Sequence, residues 1–148
     1  MSFMMKKADR QKIIKALNMD LGLEIGAIVQ YLYHHVVAEG MESPAIIDHF
    51  EKIAKDEMEN METLAKRINY FGGVPTTKPA PIKTGGNLKK MIKDDLNGEY
   101  TAIKTYKAHV ELCANLGDST SRLMLEQILM DEEDHADALG TILAKRPK

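Results

Sequence analysis

Tryptophan is absent from the chain, cysteine occurs once, and aromatic residues make up only 5 % of it. A lone Cys113 excludes an internal disulfide and any Cys-x-x-Cys zinc or redox site. It reads as a buried small hydrophobe in a protein of the reducing cytoplasm. Charge of one sign is also missing, since 20 basic residues face 22 acidic ones for a formal net charge of −2. No global field therefore favours nucleic acid or a membrane surface. No apolar run is long enough to span a bilayer. The opening "MSFMMKKADRQK" has no apolar h-region or cleavage site, so nothing in it signals secretion.

Chain-breaking residues are few and clustered. Segment 71–87, "FGGVPTTKPAPIKTGGN", holds four of the ten glycines and three of the five prolines, which makes it a loop or extended crossover. "EGMESPAI" offers Ser43 as an N-cap with Pro44 at the first helical position. "NLGDST" ends one helix at Gly117 and caps the next with Asp118 or Ser119. Helical stretches remain at about 9–38, 44–71, 88–115 and 119–144. At a rise of ~1.5 Å per residue these are long rods of similar length. With no strand-like alternation, the expectation is an all-α four-helix bundle, one domain over 1–148, with a single long crossover between helices two and three.

Each helix carries a seam of apolar residues three and four apart, and a glutamate interrupts every one. Helix one runs Ile14, Leu17, Leu21, Glu24, Ile28, Tyr31, His35. Helix two runs Ile46, Phe50, Ile53, Glu57, Asn60, Leu64. Helix three runs Leu96, Glu99, Ile103, Tyr106, Val110, Cys113. Helix four runs Leu125, Ile128, Glu132, His135, Leu139, Ile142. The two halves also superimpose without a gap at an offset of 75 residues. Asp20, Glu24, Tyr31 and His34 recur as Asp95, Glu99, Tyr106 and His109, while Asp56 and Glu57 recur as Asp131 and Glu132. The chain reads as two copies of one helical hairpin related by a pseudo-twofold axis.

An isolated carboxylate in a dry core is strongly disfavoured or takes up a proton, and four at one level raise each other's pKa values. Two divalent cations would cancel four negative charges. Glu132 and His135 lie three apart on one helix face, so both can reach one ion. An oxygen-rich set with one or two histidines suits iron or manganese better than zinc. A glutamate from each of two helices with Glu-x-x-His motifs from the others is the di-iron pattern of helical bundles.

The motifs that carry these residues resemble the ferritin-like superfamily, and bacterioferritin most closely. "LGLEIGAIVQYLYHH" is similar to that family's first-helix motif, "DEMEN" falls at its first Glu-x-x-His, "DLNGEY" supplies the third-helix glutamate, and "ILMDEEDH" matches the fourth-helix motif. The resemblance covers about residues 12–143. It implies bridging roles for Glu57 and Glu132 and terminal roles for Glu24, Glu99 and His135. It further implies oxidation of Fe(II) by O₂ or peroxide at two iron ions per bundle, iron storage or detoxification, and a homo-oligomer between a dimer and a cage. The pattern departs at Asn60, which stands where the family has a histidine. It also departs at "LAKRPK", where bacterioferritins continue into a fifth helix. A rubrerythrin-like peroxide-reducing enzyme without a rubredoxin module, or a non-enzymatic bundle with a degenerate site, are the alternatives.

Met58 stands at the position of the haem-ligating methionine of bacterioferritins, but ten methionines favour ordinary packing over haem. Tyr31 and Tyr106 are expected to hydrogen-bond the buried carboxylates. Asp56 is expected to orient His135, a common task for a carboxylate behind a ligand. His34, His35, His49 and His109 lie too many turns from the glutamates and read as structural. The basic ends "MMKKADRQK" and "AKRPK" are too short for a nucleic-acid-binding tail.

Overall fold

In the computed structural model residues 4–144 are described, so most of the basic C-terminal stretch lies outside the described residues. Four helices follow one another: α1 Lys7–Val37, α2 Ser43–Tyr70, α3 Leu88–Asn115 and α4 Ser119–Ile142. Among the described residues there is no strand. The expected punctuation holds after α3, and Asn87 adds a cap that was not expected. Gly117 takes φ +74° after α3, Asp118 accepts from the Ser121 amide at 3.0 Å, and Asn87 caps α3 by accepting from the Lys90 amide at 2.9 Å. At α2 the structure differs. Ser43 is already the first helical residue, no side chain caps that helix, and the Ser43 hydroxyl donates to the Gly40 carbonyl at 2.8 Å. Pro44, which has no amide hydrogen to satisfy, makes a cap less necessary there.

The core forms two apolar layers. One gathers Leu17, Leu64, Tyr106 and Leu125, and the other Tyr31, Phe50, Leu96 and Leu139. On every helix the seam glutamate falls between the residues of the two layers. Burying each large aliphatic side chain contributes ~1.5–3 kcal/mol, so the layers hold the helices while the polar level between them does not. Most of the predicted seam is buried, with exceptions at the ends and at Ile28 and Ile103, which are partly exposed. Ile13 and His34 are buried, Ile14 and His35 are partly exposed, and Ile142 is 40 % exposed. A straight helix has 3.6 residues per turn, so a fixed three-four pattern drifts off the buried face over eight turns. Cys113 is buried and free, and burial pushes its thiol up to about 11.

Among the hydrogen bonds that cross from α1 to α3, four that link repeat-related residues settle direction by their order. Asp20 pairs with His109 at 2.7 Å, and Glu24 accepts from the Tyr106 hydroxyl at 2.5 Å. Glu99 accepts from the Tyr31 hydroxyl at 2.6 Å, and His34 pairs with Asp95 at 2.9 Å. Numbers rise on α1 as they fall on α3, so these helices are antiparallel. Each bond joins one half of the repeat to the other. The crossover runs extended along α1 over a row four residues apart. Asn18 donates to the Val74 carbonyl at 3.1 Å and accepts from the Thr76 amide at 2.8 Å. The Gly22 carbonyl accepts from the Ala80 amide at 2.8 Å, and Gln30 accepts from the Lys83 amide at 2.9 Å. A Cβ on Gly26 would stand 2.9 Å from the Ala80 carbonyl oxygen, so this close approach requires glycine.

Candidate metal centre

Between the two apolar layers the four seam glutamates are buried together, Glu24 1 %, Glu57 1 %, Glu99 2 % and Glu132 1 % exposed, with His135 at 5 %. Ligand atoms of Glu57, Glu99, Glu132 and His135 all lie within 4.8 Å of one another. Glu24 is not in that tightest group. It lines the same cleft as Glu57, Glu99 and Glu132. All five residues singled out from the sequence therefore reach one level of the bundle.

The protein leaves this polar level incompletely bonded. Glu24 Oε2, Glu57 Oε1, Glu99 Oε2 and His135 Nδ1 are buried without a hydrogen-bond partner. His135 Nδ1 stands 3.1 Å from Glu57 Oε1, 3.7 Å from Glu99 Oε1 and 4.0 Å from Glu132 Oε1. The 3.1 Å approach is close enough for a hydrogen bond but badly aligned for one. Ligand atoms crowded around a common point, several of them without a hydrogen-bond partner, are what a cation would satisfy. The donor set of carboxylate oxygens and one imidazole fits a hard or borderline divalent ion.

Titration reflects the same crowding. Burial raises Glu24 to about 7, the Glu57 and Tyr106 hydrogen bonds opposing it. Burial, then the charges of Glu24 and Glu99, lifts Glu57 and Glu132 well above the usual carboxylate range. For His135 burial acts downward, but the neighbouring Glu99 and Asp56 outweigh it and raise the imidazole to about 9. Without a cation, protons hold the cluster together.

The surrounding groups orient the candidate ligands. Asp56 meets His135 Nε2 at 2.9 Å, so the other ring nitrogen faces the glutamates. Each tyrosine holds the glutamate of the opposite half, as Tyr31 does for Glu99 and Tyr106 for Glu24. At the position related to His135 by the repeat, Asn60 is 5 % exposed and donates to Glu132 Oε1 at a long 3.4 Å. Asp131, the counterpart of Asp56, hydrogen-bonds Asn60. The support for a histidine is therefore present on both sides, and the histidine on one.

Two features escaped sequence reading. His34 and His109 are the partners of buried Asp95 and Asp20, as the repeat that lists all four residues could have suggested. The second is a cleft of ≈ 210 Å³ between α1 and α3, which the crossover covers. Glycines at 22 and 26, four apart in mid-helix, were its visible trace. Met58 is 50 % exposed, so ordinary core packing is not its role.

The match to known proteins extends over nearly all of the chain. The family model for the ferritin-like domain matches residues 14–148. A bacterioferritin of Brucella melitensis biotype 1 is 35 % identical over 133 residues, covering 89 % of this chain and 83 % of that protein. One from Mycobacterium leprae is 32 % identical over 133 residues, covering 89 % and 84 %. A ferritin-like diiron-carboxylate protein of Bacillus anthracis superposes with a TM-score of 0.88 at 31 % identity, over 97 % of this chain and 99 % of that one. The bacterioferritin of Desulfovibrio desulfuricans, solved with its diiron site in different catalytic states, gives 0.86 at 29 % identity over 91 % and 80 %.

Proposed function

The chain belongs to the ferritin-like domain family, and from that premise we propose that it binds iron at the buried glutamate–histidine level and oxidises Fe(II) with O₂ or peroxide, for storage or detoxification. The observation that carries this reading is the convergence of Glu57, Glu99, Glu132 and His135 within 4.8 Å, where Glu57 Oε1, Glu99 Oε2 and His135 Nδ1 have no hydrogen-bond partner. Glu57 and Glu132 would bridge two ions, while Glu24, Glu99 and His135 would each bind one ion from its own side. Iron held there supplies electrons to the oxidant and an open position for it to approach.

The chain's own residues do the rest. The tyrosine hydroxyls fix one oxygen each of Glu24 and Glu99 and leave the second, unpartnered oxygen for the cluster. Asp56 fixes the ring of His135 by one nitrogen and frees the other. Glu57 and Glu132 give up their protons as Fe(II) arrives, so uptake expels protons toward the cleft. Apolar layers above and below keep bulk water from the reacting atoms. Anaerobic loading with Fe(II) followed by O₂ should give a transient near-ultraviolet or visible absorbance and oxidation well above the buffer rate. Oxidation no faster than buffer would end this reading.

Asn60 supports a second reading, a bundle that holds one ion firmly at the His135 side. An amide oxygen is neutral and ligates weakly, so the Asn60 side should bind metal less tightly. Asn60→His places an imidazole where Asp131 already stands to orient it. Titration with Mn(II) is expected to tighten binding of the second ion by ~10–100-fold, the usual scale for completing a ligand and its support. If wild type already takes up two ions with equal affinity, the one-ion reading fails. The exposed apolar row Val29, Leu32, Tyr33 and Val36 on α1 supports self-association, and native mass distinguishes a dimer from a cage. Among the described residues no helix is long and apolar enough to cross a membrane.

A further inference from the structure

The lysines of α2 and α3 are treated differently. On α2 each has a carboxylate three or four residues away, Lys52 with Asp56 at 3.0 Å, Lys55 with Glu51 at 3.1 Å and Lys66 with Glu62 at 2.8 Å. On α3 Lys90 pairs in this way with Asp94, and Lys107 approaches Glu133 of α4 only at 4.0 Å. Among the described residues Lys89, Lys93 and Lys104 pair with no carboxylate, and all three are exposed. Lys89 and Lys93 stand four apart, where like charges repel. Lys89 and Lys90 lie in a first turn that holds no acid, so the helix dipole opposes them too. At about 100° per residue, Lys89, Lys93, Tyr100, Lys104 and Lys107 share a strip of α3 ~60° wide and ~27 Å long. Tyr100 is 44 % exposed, and Glu111 lies beyond the far end. Exposed Lys83 of the crossover lines one cleft with Asn97 of α3, which adds charge at the edge of the strip. With a formal net charge of −2 for the chain, this is base segregated onto one face rather than base in excess.

We propose that this lysine strip docks a small acidic one-electron carrier, a flavin or iron–sulfur protein whose carboxylates complement the row, and that its electron returns Fe(III) at the glutamate–histidine level to Fe(II). The carrier loses one electron and one Fe(III) gains it, and no atom has to move. Glu99 falls between Lys93 and Lys104 in sequence and is buried on the inner side of the same helix. A carrier on the strip is therefore separated from the acidic level by α3 alone, ~10–12 Å across. The lysines of α2 are already answered by their own acids, whereas those of α3 keep their charge for a partner. Such a row raises the encounter rate and fixes orientation. Tyr100, between Lys93 and Lys104, supplies the aromatic anchor that interfaces favour. Asp94 and Glu133 flank the row, which suits the discrete carboxylates of a globular protein better than the continuous phosphates of a duplex. What the electron does rests on the iron-binding reading above, while docking itself needs no iron.

The first measurement is binding to the metal-free protein. A plant-type [2Fe–2S] ferredoxin, an acidic one-electron carrier, is titrated in a calorimeter. Its affinity is expected to fall ~10-fold or more between about 0.01 M and 0.15 M salt, as the screening length drops from ~30 Å to ~8 Å. The double variant Lys93→Glu, Lys104→Glu should lose ~10-fold or more at low salt. Lys55→Glu with Lys66→Glu on α2 changes net charge equally and should stay within about threefold of wild type. Lys93→Glu places an acid four residues from Lys89, so the α3 variant should keep the wild-type Tm. The second measurement is anaerobic reduction of iron-loaded protein, with Fe(II) trapped by a coloured chelator. Reduced ferredoxin should act ~10-fold more slowly on the α3 variant, and dithionite, which needs no docking, equally fast on variant and wild type. Equal losses in the α2 and α3 variants would overturn the strip, because net charge alone would explain them. No ferredoxin binding to wild type at low salt, or binding of short duplex DNA in its place, would also overturn it. Intact docking on a protein that retains no iron would sink the iron-binding reading and leave the docking surface standing.

Discussion

Glu132→Gln is expected to make the metal-free protein more stable and to abolish iron oxidation. Glu132 is 1 % exposed, and burial with the charges of Glu24, Glu99 and Glu57 holds its carboxyl protonated far above the usual range. A neutral amide of nearly the same shape cannot ionise, so it never brings the repulsion that the wild-type carboxyl escapes only by keeping its proton. Replacing buried, poorly compensated charge by a neutral group of similar volume commonly stabilises by ~1–4 kcal/mol. For a chain of this size ~2 kcal/mol corresponds to roughly 4–8 °C in Tm. The gain should be largest near pH 8, where the wild-type cluster is most reluctant to stay neutral. The same substitution removes a bridging oxygen, so Fe(II) oxidation should drop to the buffer rate. Thermal scans in chelator and oxygen-consumption traces on one preparation measure both. A purely structural glutamate would behave oppositely, with Tm falling and oxidation unaffected. Residues kept against stability are a mark of function.

The fold and the acidic level were both legible because each depends on local periodicity. A glutamate in four seams, at one repeat offset, has to come out at one height if the hairpins are copies. The structure places Glu24, Glu57, Glu99 and Glu132 at that height. The cross-links were only half legible. The repeat lists Asp20 with Asp95 and His34 with His109, but these equivalent residues do not touch. Antiparallel packing of α1 on α3 joins Asp20 to His109 and His34 to Asp95, and helix direction comes from the crossover rather than from periodicity. His34 rather than His35 is buried for a related reason. The seam drifts as the helix lengthens, and the aspartate opposite decides which histidine turns inward.

The course of the crossover was the least legible part. Asn18, Gly22, Gly26 and Gln30 share one row of α1, but nothing in their types says that an extended segment lies along them. That follows from backbone groups at Val74, Thr76, Ala80 and Lys83, whose hydrogen bonds depend on position and carry no residue signature. The amides at 18 and 30 look like ordinary surface polarity until the crossover is laid against them.

Stability of the metal-free protein should fall steadily between about pH 5 and pH 9, and divalent metal should reverse the trend. The sign follows from two groups. Glu24 is raised from 4.5 to about 7 in the folded chain, so its contribution is complete below the unfolded value and is lost as pH rises through about 7. His135 is raised from 6.5 to about 9, so its contribution is complete below 6.5 and is lost as pH rises through about 9. Both losses run the same way, because the protonated imidazole and the protonated carboxyl are what reconcile the cluster with burial. A cation replaces those protons, and its affinity rises as they leave. At a free concentration of ~100 Kd, one bound ion adds ~2.7 kcal/mol, roughly 5–11 °C for a chain of this length. Tm measured at half-unit steps in EDTA and in Mn(II) should therefore give curves that converge at low pH and spread apart above pH 7. Parallel curves would mean that metal binds away from the acidic level. A flat EDTA curve would mean that solvent already relieves the buried carboxyls, leaving a cation nothing to neutralise.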